Sequence, residues 1–366
     1  FIQKLYRYHY FFTFQNSNLD MRKVLFDKMG VAYEQLEELA FLVFYGFSQE
    51  VQDKLEESTI QKILEKAFSD TDAVRLLSIE KDDYKKELFS LYKDNIIDQY
   101  YGLKIQYLYP FISGKDFTYI PSPYLVVNAV TESMLNRVTF RDNKLRRAIG
   151  KEVIESYLYN IVRQLDTVTW ISPELLYKKG KDKLLTSDVI AAEGDNVIFY
   201  DTKAITPSLK LRKFDVAEIE ADIEIYAEDV IQIYNQINNY LQGCFQLDKQ
   251  YLKDKIFGIV VVLEDAVVSR KKVYEKVYEI LEKTETLDTE EKNYICSHIK
   301  VLPLRAIECM ILQNTSLLPE LIEQLSKPER WYDYTYTNAT IENGKIPLYS
   351  KYEKDLKSRI KNRIMG

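Results

Sequence analysis

From about Asp20 to Lys93, apolar positions recur near the helical period: Val24, Leu25, Met29 and Val31, then Leu36, Leu39, Leu42 and Val43. Val51, Leu55, Ile60, Ile63 and Leu64 continue the pattern, as do Leu76, Leu77, Leu88 and Leu91. That spacing places apolar side chains on one face of each helix, so this region is expected to be mainly helical. Residues 1–18 differ. They are dense in aromatics, with Tyr6, Tyr8, Tyr10, Phe11, Phe12 and Phe14, and such residues suit a half-buried strand surface. A packed strand or arm is expected there. Pro110, Gly114, Pro121 and Pro123 then punctuate the chain.

The pattern beyond alternates. Asp142 to Leu165 predicts a helix, and Thr167 to Tyr177 a strand that runs into a lysine-rich turn. Leu184 to Ala192 and Val197 to Ile205 predict two strands joined by the turn Glu193-Gly194-Asp195-Asn196. Ala227 to Leu241 predicts a helix ended by Gly243. The apolar run from Lys255 to Leu263 suits a strand covered on both faces. Ser269 to Leu325 reads as helical again. The tail from Pro328 carries Trp331, Tyr332, Tyr334 and Tyr336, then a basic helix over Lys351 to Arg363. The order helix, three strands, helix, strand predicts an α/β protein with a mixed sheet flanked by helices. The expected organisation is a mainly helical domain at 1–125, the α/β domain with C-terminal helices at 126–327, and an aromatic and basic tail at 328–366.

Composition narrows the chemistry. The 366 residues hold 50 Lys and Arg against 56 Asp and Glu, a net charge of −6, with 46% hydrophobic content. This is the balance of a folded, mildly acidic protein and argues against a general nucleic-acid coat. No apolar run approaches the ~20 residues of a membrane span, so no membrane partner is expected, and the charged N-terminal stretch does not read as a secretory leader. Cys244, Cys296 and Cys309 are odd in number and lack a Cys-x-x-Cys spacing, which suits a reducing, cytoplasmic setting. With only His9 and His298, multi-histidine metal sites are not expected. No glycine-rich nucleotide loop is present. Any catalysis falls to carboxylates and lysines.

One stretch concentrates such residues: Ser187-Asp188-Val189-Ile190, the turn, then Val197-Ile198-Phe199-Tyr200-Asp201-Thr202-Lys203-Ala204. Side chains alternate faces along a strand, so Asp201 and Lys203 share one, and Asp188 on the adjoining strand reaches the same edge. Charged residues at the end of a buried strand are costly unless paired or bound to a metal. Two crowded carboxylates without His or Cys suit a hard divalent cation, Mg²⁺ or Mn²⁺, and a neighbouring lysine can orient a metal-bound water.

Asp188…Asp201-Thr202-Lys203 resembles the D…(D/E)-x-K signature of the PD-(D/E)xK nuclease superfamily, over about residues 145–265. Ser187 stands where many members have proline, and Asp201 where many have glutamate. The resemblance implies the restriction-endonuclease-like fold, Mg²⁺ or Mn²⁺ as cofactor and phosphodiester hydrolysis, with DNA as the expected substrate and RNA as the alternative. It implies metal ligation by Asp188 and Asp201, with Lys203 positioning or activating water. Members often place a metal-binding glutamate on the helix before the sheet, in a Gly…Glu-x-Tyr context; Gly150 and Glu155-Ser156-Tyr157 point to Glu155. Gln236 and Tyr240 resemble the Q-x-x-x-Y element of the exonuclease branch, implying support of the site by Gln236 and a backbone contact by Tyr240. Gln232 shares their helical face. Stand-alone nucleases with an added helical module imply phage defence or restriction.

Basic clusters flank these residues: Arg141, Lys144, Arg146, Arg147 and Lys151; Lys178, Lys179, Lys181 and Lys183; Lys210, Arg212 and Lys213. Together they can hold phosphates, and Arg146, Arg147, Lys151, Lys179, Lys181, Lys210 and Arg212 are the expected nucleic-acid contacts. An ungated nuclease harms its host, so a regulatory protein partner or self-association is expected. Two rivals stay open. A non-catalytic nuclease-fold protein would bind nucleic acid or act as an assembly subunit, and would depend on the basic clusters more than on Asp201. An interaction protein built on the helical and Tyr-rich segments would leave Asp188, Asp201 and Lys203 far apart.

Overall fold

The computed structural model describes residues 2–48, 52–92, 104–115, 117–204, 216–264, 268–283, 287–312 and 347–365. Two compact units emerge, one of residues 1–146 with 347–366 and one of residues 147–346. The division falls at 146 rather than 125, because the helices that follow Pro123 pack with the N-terminal ones. The C-terminal helix belongs to the first unit rather than to a separate tail. Trp331, Tyr332, Tyr334 and Tyr336 lie outside the described residues.

The first unit is mainly helical, as its apolar spacing predicts: α1 (Ile2–Thr13), α2 (Met21–Met29), α3 (Tyr33–Gly46), α4 (Glu57–Phe68), α5 (Thr71–Leu76), α6 (Lys81–Tyr92), α7 (Lys104–Leu108), α8 (Pro123–Val130), α9 (Glu132–Val138) and α10 (Asn143–Ala148). A small sheet of β1 (Ser78–Glu80), β2 (Phe111–Ser113) and β3 (Thr118–Tyr119) interrupts them. The aromatic N-terminus is helix α1, not a strand. Leu5, Tyr8, Phe11 and Phe12 are fully buried at helical spacing, and Phe12 stacks on Tyr33 of α3 at 4.7 Å. Tertiary packing of that stripe overrides the strand preference of Tyr and Phe.

The basic helix at the C-terminus spans Pro347–Met365 and buries Tyr352, Leu356 and Ile360, spaced four apart. It closes on a buried acid. Glu37 of α3 is fully buried and accepts hydrogen bonds from Tyr352 Oη and Arg359 Nη2, each at 2.5 Å, with His9 Nδ1 at 3.2 Å. Arg359 and Arg363 also bind Glu38 at 2.9 and 3.1 Å. Burial opposes ionisation of Glu37, but His9, Tyr352 and Arg359 outweigh it and hold its carboxyl below the usual range. Such a group contributes stability that is present above the unfolded carboxylate pKa and lost as pH falls through the lower folded value. Arg359→Ala leaves a buried carboxylate short of its cationic partner. It is expected to lower stability in urea at pH 7 by about 2 kcal/mol, with a smaller loss at pH 4. An unchanged midpoint at pH 7 would remove Glu37 from the account of how this helix is held.

The second unit begins with a π-helical turn (Ile149–Ile154) that runs into α11 (Glu155–Val162). Next come β4 (Val168–Pro173), β5 (Leu176–Lys179), β6 (Asp182–Leu185), β7 (Val189–Glu193) and β8 (Asn196–Lys203). The long helix α12 (Val216–Leu241) crosses to β9 (Ile256–Val262). Helices α13 (Arg270–Leu281) and α14 (Thr289–His298), strand β10 (Ile299–Pro303) and helix α15 (Leu304–Leu312) complete it. The main sheet has the order β10-β9-β8-β7-β4. Strands β4, β7 and β8 pair antiparallel, whereas β9 and β10 run parallel to β8. The protein is therefore mixed α/β.

Three differences from the sequence pattern stand out. The strand read over Leu184–Ala192 is broken at Thr186 and Ser187, because β6 pairs with β5 in a separate two-stranded ribbon. The strand read over Thr167–Tyr177 divides for the same reason. Strand β10 lies inside a stretch read as helical; it is short and flanked by helices, so its alternation of Ile299, Val301 and Pro303 is masked.

Alternation sorts the main sheet into two faces. Ile190, Ala192, Val197, Phe199, Val260 and Val262 form one core with Ile223, Tyr226, Ala227, Val230, Ile233 and Ile237 of α12. Val189, Ala191, Ile198 and Tyr200 are buried on the other side. There α11 lies against β7 and α15, and Tyr157 Oη donates to Glu308 Oε1 at 2.7 Å. Gly194, with φ +60°, opens the two-residue turn between β7 and β8.

Candidate functional site

The β7–β8 register pairs Val189 with Tyr200, so Asp188, just before β7, falls opposite Asp201. Asp201 and Lys203 end β8 on the face covered by α12. The structure brings Asp188, Asp201 and Lys203 together, against the expectation of the interaction-protein reading. Lys203 Nζ lies 2.8 Å from Asp201 Oδ2, 3.0 Å from Asp229 Oδ1 and 3.0 Å from Gln232 Oε1. Gln232 Nε2 reaches Asp201 Oδ1 at 3.4 Å. Asp188 Oδ2 accepts from Thr202 N and Oγ1 at 2.6 and 2.7 Å. Glu155 joins from the start of α11, where the preceding π turn adds a residue to the helical register. Its N–H bonds to Gly150 O. Such turns re-aim side chains and are frequent at functional sites.

The electrostatics follow from burial. Three carboxyl groups, Asp188, Asp201 and Asp229, share one ammonium at Lys203, and Glu155 lies beside Asp188 with Lys151 as its nearby cation. Burial, then the neighbouring Asp188 and Glu174, push Glu155 up to about 8. Burial and Asp201 push Asp188 up to about 7, despite two hydrogen bonds from Thr202. Burial raises Asp201 and brings Asp229 up to about 6, with Lys203 pulling both back. Burial works against the Lys203 ammonium, but Asp201 and Asp229 outweigh it and hold Lys203 well above the usual lysine range. The cluster is short of positive charge.

A hard divalent cation fits that shortage. The donors are all oxygens; the buried Asp229 Oδ2 accepts no hydrogen bond, and the buried Asp201 Oδ2 is met by the Lys203 ammonium at 2.8 Å. Among the described residues, no group of three His, Cys, Asp or Glu side chains closes on one point. Mg²⁺ does not require one, since it commonly takes one or two carboxylates and completes its octahedron with water and substrate phosphate.

The other expected residues divide. Gln236 does not reach Lys203; its Oε1 accepts from Ser187 Oγ, beside Asp188. The contact with the Lys203 ammonium is made by Gln232, one turn earlier. Tyr240 is buried against Phe199 and Phe245, and its hydroxyl donates to Lys249 O and accepts from Tyr251 N, so it is a packing residue and not a backbone contact. Lys179 is exposed yet tied to Asn239 Oδ1 at 2.7 Å. Lys181 and Arg147 are exposed. Lys151 lies 3.7 Å from Glu174. Arg146 belongs to the first unit, where it bonds Asn136 Oδ1 at 2.7 Å. Lys210, Arg212 and Lys213 lie outside the described residues. Asp229 is the member of this cluster that the sequence reading missed. Its signal was present: it sits three and seven residues before Gln232 and Gln236, on the same helical face.

Comparison with protein families, curated proteins and solved structures returned no match to this chain.

The raised carboxyls carry a stability consequence. Each keeps a proton in the folded chain at a pH where the unfolded chain has lost it. Stability without metal therefore falls as pH rises from about 4.5 to about 8, the window set by Glu155. Glu155→Gln removes one such group. Because water partly screens it, the expected gain at pH 8 is on the order of 1 kcal/mol, with little change at pH 5. Urea unfolding at both pH values in a chelating buffer checks this, and a loss of stability at pH 8 would contradict the charge account.

Proposed function

We propose that this protein is a metal-dependent nuclease that hydrolyses phosphodiester bonds of DNA. The observation that carries the reading is the charge-deficient cluster of Asp188 and Asp201 around a protonated Lys203 at adjoining strand ends, with Glu155 beside Asp188. The element order is in keeping with it: apart from the β5–β6 ribbon, α11, then β4, β7 and β8, then α12 and β9 follow the helix, three strands, helix, strand order read from the sequence. The resemblance of Asp188…Asp201-Thr202-Lys203 to the PD-(D/E)xK signature supplies the activity, and the same reading extends to a role in phage defence or restriction.

Asp188 and Asp201 would hold Mg²⁺ or Mn²⁺, with Glu155 adding charge from the α11 side. Such an ion activates a bound water and offsets charge on the phosphoryl oxygens and the leaving oxygen. Lys203 stays protonated at neutral pH in this arrangement, so Nζ donates hydrogen bonds to an attacking water or a phosphate oxygen and does not take the proton. Asp229 and Gln232 hold that ammonium in place. Ser187 and Gln236 fix the backbone beside Asp188.

Incubation of the protein with linear, circular and single-stranded DNA, and with RNA, in Mg²⁺ or Mn²⁺ tests the reading. Metal-dependent cutting is expected to fall by about 100-fold or more in both Asp201→Ala and Lys203→Ala, and the circular substrate separates endonucleolytic from exonucleolytic action. Absence of cutting, with wild type and both variants binding DNA equally, would replace this reading with the non-catalytic one.

A further inference from the structure

The β5–β6 ribbon has a composition that folding alone does not explain. Its register sets Leu176 opposite Leu185 and Lys178 opposite Lys183. Strand alternation puts these four side chains on one face. Like charges directly opposite on a ribbon destabilise it by up to ~1 kcal/mol. Leu176 and Leu185 remain 66% and 44% exposed on that face. Lys181 follows Gly180, which has φ +62° and opens the turn. Among the described residues, no acidic side chain forms an ion pair with Lys178, Lys181 or Lys183.

The opposite face is fixed. Tyr177 is buried against Phe245 at 4.8 Å between ring centres, and its Oη accepts from Asn239 Nδ2 at 2.8 Å. Leu184 packs on the same core, and Lys179 Nζ donates to Asn239 Oδ1. The ribbon is therefore clamped to α12 by its inner face and presents its outer face to solvent. Its last strand runs through the buried Thr186 and Ser187 directly into Asp188.

We propose that the outer face of the β5–β6 ribbon is a DNA-docking arm that lies in the major groove of a duplex, with Lys178, Lys181 and Lys183 on phosphates and Leu176 and Leu185 toward the groove floor. The chemistry selects the occupant. Three uncompensated ammonium groups within one turn match a polyphosphate, and a two-stranded ribbon fits the ~12 Å major groove of B-DNA. The deep, narrow major groove of A-form RNA does not admit side chains in this way. The identity of the occupant rests on the nuclease reading; the exposed lysines and their register do not.

Lys183→Glu tests this in the full chain. It places an acid across from Lys178, relieving the like-charge pair while reversing charge on the arm. The expected result is an unfolding midpoint equal to or above that of wild type, together with at least a 10-fold loss of affinity for a short duplex in fluorescence anisotropy without metal. The triple variant Lys178→Ala, Lys181→Ala, Lys183→Ala is expected to reduce the slope of log affinity against log salt by roughly 2–3, at about 0.9 per lost phosphate contact. Wild type is expected to bind duplex DNA more tightly than duplex RNA of the same sequence. Unchanged affinity and salt slope in both variants would overturn the arm, and equal loss on DNA and RNA would overturn its groove placement. Failure of the nuclease reading is seen separately: binding that depends on the ribbon lysines with no metal-dependent cutting would retire the catalysis and keep the arm.

Discussion

The close seat of α12 on the sheet is the constraint on which the site depends. Gly258 of β9 makes it possible. A Cβ at that position would lie 2.3 Å from Ile233 Cγ2, closer than packed atoms approach, so any side chain there forces the Ile233 side chain or its helix to shift. Ile233 is one residue beyond Gln232 and four beyond Asp229. Both of those reach the Lys203 ammonium at 3.0 Å. A shift of an ångström at Gly258 would therefore be felt directly at Lys203. The fully buried β9 reads at first as plain core, yet it sets the distance over which the polar cluster is assembled.

That cluster runs against stability. Groups taken from water without full compensation are unfavourable, and here three carboxyls share one ammonium in a buried setting. A fold selected for stability alone would place apolar residues at these strand ends. On the proposed reading, a bound cation would supply the missing charge and would displace no existing ion pair except that of Lys203 with Asp201. Asp229 and Gln232 would then keep the ammonium in place if Asp201 turned to a metal. The contrast with Glu37 in the first unit is instructive. That carboxylate is more deeply buried than Asp188, yet Arg359, Tyr352 and His9 fully answer it, and its proton affinity moves down rather than up. Burial is common to both, and the partners decide the sign.

Much of this was legible in the chain. The helical period of the first unit, the turn at Gly194 and the apolar run of β9 each predict the observed element, because each is a local pattern with one packing solution. Asp188, Asp201 and Lys203 were placed together from strand alternation and a tight hairpin, and their register confirms that geometry. What was not legible depended on partners distant in sequence. The aromatics of α1 look like strand residues until α3 is set against them. The C-terminal helix joins the first unit through Glu37 and Glu38, more than three hundred positions earlier. Tyr240 has the spacing of a site residue, but Tyr251 and Lys249 claim its hydroxyl, and no local pattern announces that.

Helix α12 also ties the ribbon to the site. Asn239 follows Gln236 by three positions, so the two lie on neighbouring turns of one face. Gln236 holds Ser187, and Asn239 holds Tyr177 and Lys179 of the ribbon. Between those two anchors runs the short segment Leu184 to Ser187, which ends at Asp188. A load on the ribbon from a bound polyanion would pass to Asn239 and along the helix before it reached the hydrogen bond beside Asp188. It would also pass directly through the backbone of Thr186, which is itself pinned by its bonds to Leu175. The outer face of the ribbon is left to solvent, while Tyr177 and Lys179 on its inner side both bond Asn239 of the helix that positions Lys203. An element held in that way has a fixed attitude to the carboxylates. Fixed attitude is what a substrate-positioning arm needs, because a reacting phosphate misplaced by about 1 Å loses much of the benefit of orientation.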